Sequence, residues 1–206
     1  MILLPAVLAL LYVRAFGVSV VYFDAWSVVR LFDKWSSGTL SLLDLLEQHN
    51  EHRMFFPKGF ELLLGWITVY NNVVEMYVKM YLIQICFLAT LIILLLAFKD
   101  NVRAWLFIFA PVAFLIFSFR QYENMLFGFQ INFAFTQTFG VLALFLLYVL
   151  GHGRLQKLAF VAALGSGTIA SFSTAQGLFV WPAGLLQLFL SPVEKRTKRV
   201  LYRYGA

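Results

Sequence analysis

The chain is dominated by long apolar runs, at 2–23, 76–98, 104–119, 129–150, 155–172 and 178–190, separated by short polar segments and one longer stretch, 24–75. The runs are continuous rather than alternating, which is the pattern of buried helices and not of a membrane β-barrel. A bilayer core takes about 20 apolar residues per helical span. Within it every backbone polar group must be bonded inside its own segment or a closed barrel. With 62% of residues apolar and 13% charged, a water-soluble domain of this length would lack the polar surface to cover itself. The expected fold is therefore all-α and polytopic: six transmembrane helices in a single transmembrane domain, 1–206, with no internal repeat and no soluble linker.

The first run has neither a basic start nor a small-residue cleavage site before Asp24, so it reads as a span rather than a secretory signal. Arg14 lies inside it, an expensive position unless the side chain reaches the interface or a partner. Cys86, the only cysteine, falls within an apolar run, which excludes a disulfide within the chain.

A seventh apolar stretch, 57–70, is only fourteen residues long, carries Lys58 and Glu61, and is closed by Asn71 and Asn72. That length suits an interfacial helix better than a span. With 57–70 on the surface, the segments 99–103, 151–157 and the tail from 191 all fall on one side. Together they hold nine Lys or Arg residues against two acids, Asp100 and Glu194. The positive-inside rule makes that side cytoplasmic, with both termini there, and the expected location is a cell membrane, the bacterial inner membrane. The formal charge of +6 is explained by these loops, and nucleic acid is not an expected partner.

The opposite face receives 24–75, 120–128 and 173–177, which contain eight of the ten acids. In the outer loop 24–75, three short surface helices are expected. The first places Val28, Val29, Phe32 and Trp35 on one stripe and stops at Gly38. Ser41 with Asp44 has the spacing of a capping box, and Pro57 suits a first helical turn.

Asp24 follows the first run directly, where a carboxylate can remain ionised yet take a proton from a hydroxyl at the headgroup level; capping the Trp26 helix is the competing role. The run Gln48-His49-Asn50-Glu51-His52-Arg53 is the densest polar cluster, set before the apolar Met54-Phe55-Phe56-Pro57. Arg53 and Lys58 suit phosphate oxygens. His49, Glu51 and His52 offer ligands to a divalent metal, but not at the His-Glu-x-x-His spacing of zinc proteases, so a solvated loop is the simpler reading. Arg120 and Glu123 are spaced to pair on one helical turn. The polar 171–177 segment, with Gln176, is placed to contact a ligand above the membrane or to serve as a turn. Gly165-Ser166-Gly167 imitates a dinucleotide motif without its strand or its acid, and reads as close helix packing.

The order of these features resembles the GT-C class of membrane glycosyltransferases. The likeness lies in a first run ending at Asp24, juxtamembrane helices, Glu51-His52-Arg53 opening the short apolar helix at Pro57, and the outer 120–130 segment. The chain is also similar to bacterial multi-pass membrane proteins in which a Gln-His-Asn-Glu-His-Arg run and an Arg-Gln-x-Glu-Asn run recur, here 48–53 and 120–124. The resemblance implies transfer of a sugar from a polyprenyl-phosphate carrier on the non-cytoplasmic face. Asp24 would be the base, Arg53 and Lys58 would meet the carrier phosphate, and Glu51 and His52 would orient the acceptor or a metal. Arg120 and Glu123 would line the same cavity. Members of that class usually have more spans and often an outer domain, so the resemblance corresponds to their N-terminal transmembrane portion or a shortened homologue. The alternative is a non-catalytic membrane subunit or assembly factor that binds a protein partner through its outer loop. A transporter ranks third, because apart from Arg14 no charged pair is evident at the middle of a run.

Overall fold

The computed structural model describes residues 2–97, 101–149 and 156–190. It is all-α: α1 Leu4–Phe16, α2 Trp26–Ser36, α3 Leu42–Leu46, α4 Phe55–Thr68, α5 Asn72–Ala97, α6 Val102–Ile116, α7 Tyr122–Leu126, α8 Ile131–Val149, α9 Gln156–Ser171 and α10 Val180–Leu190. Short 3-10 turns at Phe23–Ala25, Phe119–Gln121, Gly128–Gln130 and Ala175–Phe179 lead into α2, α7, α8 and α10.

Among the described residues two helical stretches, Asn72–Leu95 and Gly128–Tyr148, are long and apolar enough to cross a membrane. A core helix of a soluble protein passes the same test, but it is mostly buried. In the most apolar part of Asn72–Leu95 only 17% is buried inside the protein. Phe107, Leu115, Phe179 and Phe189 likewise point outward. Apolar surface on this scale needs a non-aqueous neighbour, and the chain is a membrane-associated all-α protein.

The other expected spans form shorter helices. The run 2–23 gives only the 13 residues of α1, and 17–22 is not helical. At about 1.5 Å per residue α1 is roughly 20 Å long, against a hydrocarbon core of about 30 Å. The break falls at Gly17, whose N–H donates to Val13 O at 2.7 Å and whose Cβ, if present, would lie 2.6 Å from that oxygen. This placement also resolves Arg14, which sits exposed in the last turn of α1, where a cation faces the negative end of the helix dipole. α6 has 15 residues with Pro111 inside, and α9 has 16.

Side-chain contacts fix the helix directions. Gln84 on α5 donates to Ala6 O at 3.2 Å, and the backbone N–H of Asn72 donates to Ser19 Oγ at 3.2 Å, so α1 and α5 are antiparallel. Thr138 donates to Leu82 O at 2.8 Å and Lys79 to Phe127 O at 2.6 Å, so α5 and α8 begin at the same end and run parallel. α10 follows α8, with Gln187 donating to Leu144 O at 3.0 Å. One core cluster joins α1, α5 and α6 through Ala9, Val13, Met80, Phe87 and Phe109. A second joins Ala25, Val28, Met54 and Phe129. The segments 24–75, 127–128 and 173–177 thus gather at one end of the bundle, whereas Phe119 and Arg120 lie alongside α1, near Tyr12, Leu8 and Pro5. Arg103 and Lys157, at the starts of α6 and α9, are exposed at the other end; the remaining basic residues of 99–103, 151–157 and the tail lie outside the described residues.

The segment 24–75 carries three short helices, α2, α3 and α4, as expected. Ser41 and Asp44 form a reciprocal capping box on α3, and Gly38, with φ +70°, turns the chain after α2. The buried residues of α2 are Val28 and Leu31, with Trp35 exposed, so the inward stripe is rotated from the expected one. The turn into α5 holds Val69 and Tyr70 both at φ +54°, a conformation costing on the order of 1–3 kcal/mol per non-glycine residue. Tyr70 is anchored there by its N–H to Gly65 O at 2.8 Å and its hydroxyl to Ala25 O at 3.2 Å.

A Cβ at Gly177 would overlap the Ala170 carbonyl, whereas one at Gly165 meets nothing within 4 Å. Gly177→Ala should therefore cost about 1–3 kcal/mol. Gly165→Ala should leave stability unchanged or raise it by about 0.5–1 kcal/mol. Thermal unfolding in detergent measures both.

Candidate functional site

The polar end of the bundle is organised by a tight turn at 49–52. His49 N–H donates to His52 O at 2.8 Å and His52 N–H to His49 O at 2.9 Å, an isolated antiparallel bridge closed by Asn50 at φ +51°. Residues opposed in such a pair project to the same side. The two imidazoles accordingly pack edge-on against phenylalanines four residues apart at the start of α8, His49 on Phe129 at 5.3 Å and His52 on Phe133 at 5.8 Å.

Each histidine is tied to another segment. His49 Nε2 lies 3.5 Å from Asp24 Oδ2. His52 is buried, its Nδ1 accepts the backbone N–H of Ala175 at 3.3 Å, and its Nε2 lies 3.5 Å from Glu51 Oε1. The 24, 48–53, 127–133 and 173–177 segments are thus brought together by two imidazoles. Asp24 does not cap α2: the residue at the cap is Ala25, with no side-chain bond. Its carboxylate is half-exposed, with His49 beside it.

The remaining candidate residues are placed differently. Arg53 and Glu51 are exposed. Lys58 is turned inward, its Nζ donating to Glu47 O at 2.6 Å and Asp44 O at 3.4 Å, so that it holds the carbonyls that end α3. Burial lowers its pKa, partly offset by the charges of Glu47 and Glu61. Asp44 beside it pairs with Lys34, and that bond, with those from Ser41, holds its carboxyl well below the usual range. Arg120 and Glu123 do not pair: Arg120 belongs to a 3-10 turn rather than an α-helical one, and Glu123 accepts from Tyr122 Oη at 3.1 Å. Arg120 instead borders a cavity of about 320 Å³ whose other walls include Pro5, Leu8, Phe114 and Phe117. Gln176 is exposed, next to the Ala175 that His52 binds. Among the described residues no three or more His, Cys, Asp or Glu are grouped to hold a metal ion.

Beneath the histidines lies a buried charged layer that the sequence did not reveal as a site. Glu61 on α4 and Glu75 and Lys79 on α5 are each 1% exposed. Lys79 donates to Phe127 O, and Gly128 packs so closely on Glu75 that a Cβ there would overlap its Oε2. Among the described residues His49 Nε2, Glu61 Oε2, Glu75 Oε1, Gln130 Oε1 and Asn132 Oδ1 are buried without a hydrogen-bond partner. Burial, followed by the charge of Glu75, raises the pKa of Glu61 well above the ordinary carboxylate range. Glu75 and Lys79, four apart at the opening of an apolar helix, were the available signal.

No protein-family model, curated protein or solved structure matches this chain.

His52→Ala would leave the Ala175 N–H without its acceptor, at a cost of about 1–3 kcal/mol. Hydrogen exchange should show faster exchange at the Ala175 amide, with the amides of α5 unchanged.

Proposed function

We propose that this protein is a membrane glycosyltransferase of GT-C type, transferring a sugar from a polyprenyl-phosphate carrier to an acceptor at the polar end of the bundle. The observation that carries the reading is the position of Asp24: half-exposed, released from capping, and 3.5 Å from the imidazole of His49, whose ring is fixed on Phe129. A carboxylate so placed can take a proton from an incoming hydroxyl, with the His49 ring beside it but not hydrogen-bonded to it.

In the proposed step the acceptor oxygen attacks the anomeric carbon and its proton passes to Asp24. The bond from that carbon to the carrier phosphate breaks, and the phosphate leaves with the electron pair. Developing charge on the leaving group is met by exposed guanidinium groups. Arg53 stands in the loop beside the histidines, and Arg120 stands at the border of an apolar cavity of about 320 Å³. A hydrocarbon chain in that cavity with its phosphate on Arg120 fits the chemistry of a lipid carrier. Lys58 acts one step back, keeping residues 44–47 in place.

Asp24→Asn should reduce transfer by about 10²- to 10⁴-fold, with membrane insertion and thermal stability retained. Arg120→Ala should weaken capture of a photoreactive polyprenyl phosphate by the full chain. Undiminished transfer by Asp24→Asn would overturn the assignment. Crosslinks from Glu51 to another protein rather than to an isoprenoid would favour a partner-binding subunit.

A further inference from the structure

A helix that rests on a membrane surface turns its charged face to water and its apolar face to lipid. α4 is built the other way round. Lys58 and Glu61 lie on its buried side with Leu62 and Gly65, and among the described residues of this helix those exposed are Leu63, Trp66 and Ile67. Trp66 is 69% exposed, and Val69, in the turn that follows, is 91% exposed. Water on that side would meet apolar side chains, while the charges that water would solvate are turned to the interior.

α2 gives the contrast. Its exposed residues include Arg30, Asp33 and Lys34 beside Trp26 and Trp35, a mixed face that water or headgroups solvate. The two helices meet where Phe32 covers Gly65, so closely that a Cβ on the glycine would overlap the ring. Lys58 ties the start of α4 to the end of α3. α2 and α3 therefore cover part of α4, and α5 and α8 cover another part, α8 through Phe135 on Phe60 at 5.3 Å. What is left uncovered is the side of Leu63, Trp66 and Ile67. With 14 residues, α4 is about 21 Å long, too short to cross a hydrocarbon core of about 30 Å.

We propose that the uncovered face of α4 is immersed in the acyl chains of the leaflet at the polar end of the bundle, so that α4 is a part-inserted helix beneath α2 and α3. Three observations select lipid chains over a protein partner. Interfaces between proteins are about as polar as the rest of the surface, whereas the exposed side chains of α4 are apolar. The chain passes from α4 through 69–71 directly into α5, whose outward residues Tyr81, Ile85 and Leu88 are exposed in a helix long and apolar enough to cross a membrane. Trp66 is the residue type that membrane boundaries favour. Immersion also accounts for the burial of Lys58 and Glu61, since with lipid outside a charged side chain turns to the interior of the bundle. This inference does not depend on sugar transfer.

The test uses full-length chains that keep one tryptophan, Trp66 or Trp35, with the other four of the five changed to phenylalanine. Each is purified and reconstituted in phosphatidylcholine nanodiscs, and quenching by lipids brominated in mid-chain is compared with quenching by iodide. Brominated chains should quench Trp66 several-fold more than Trp35, and iodide should do the reverse. Should those chains not fold, a nitroxide on Ile67→Cys in a Cys86→Ser background gives the same reading, relaxed by oxygen in the bilayer and shielded from a water-soluble nickel chelate. In the membranes of producing cells, a benzophenone side chain placed at Trp66 should form adducts with lipid. Iodide quenching of Trp66 as strong as that of Trp35 would put the face in water and overturn the proposal. Protection of Trp66 from both quenchers would put a second copy of the chain there, and a protein adduct at position 66 would put a partner there; either result overturns it as well.

Discussion

The backbone at 127–128 lies against the first two turns of α5, and the rest of the structure is arranged around that contact. Gly128 has no side chain to keep it from Glu75, and the Phe127 carbonyl takes the Lys79 ammonium. A chain segment wedged between two residues four apart on one helix keeps them from pairing with each other, although their spacing would allow it. It also sets where α8 begins relative to α5. From that start the two helices run in parallel, joined by Thr138 to Leu82 O and by Cys86 Sγ to Gln137 O at 3.6 Å. Where lipid offers no hydrogen bonds, polar side chains that reach a neighbouring helix's carbonyls hold helices together.

With that pair fixed, the polar segments have one place to go. α1 runs antiparallel to α5 and delivers Asp24 to the end where α5 and α8 start. The loop before α4 folds over the same end, and its two histidines reach Asp24 on one side and Ala175 on the other. The result inverts a soluble domain. Large apolar side chains lie exposed on the outside, while Glu61, Glu75 and Lys79 are sealed within and Arg103 and Lys157 are exposed at the end opposite Asp24.

Much of this was legible in the sequence because the relevant forces are local. Ser41 and Asp44 carry the capping box in three residues' spacing, and Gly38 marks a turn that only φ +70° completes. The apolar runs 76–98 and 129–150 correspond to α5 and α8. What escaped depends on partners distant in the chain. The stretch 17–22 is as apolar as a helix but leaves α1 at Gly17, and Ser19 accepts the Asn72 N–H from 53 residues away. Lys79 sits within an apolar run, and its burial follows from a carbonyl 48 residues on. The expected pairing of Arg120 with Glu123 presumed an α-helical turn, and the backbone there is 3-10.

The claim on which the functional reading depends is that Glu51, Asn124 and Gln176 share one aqueous face and Lys157 lies on the other. With Cys86 replaced by serine, single cysteines at those four positions can be treated in intact cells with a membrane-impermeant maleimide. The expected result is labelling at 51, 124 and 176 without permeabilisation, and at 157 only after it. Labelling of 157 in intact cells, or a split among the other three, would contradict it.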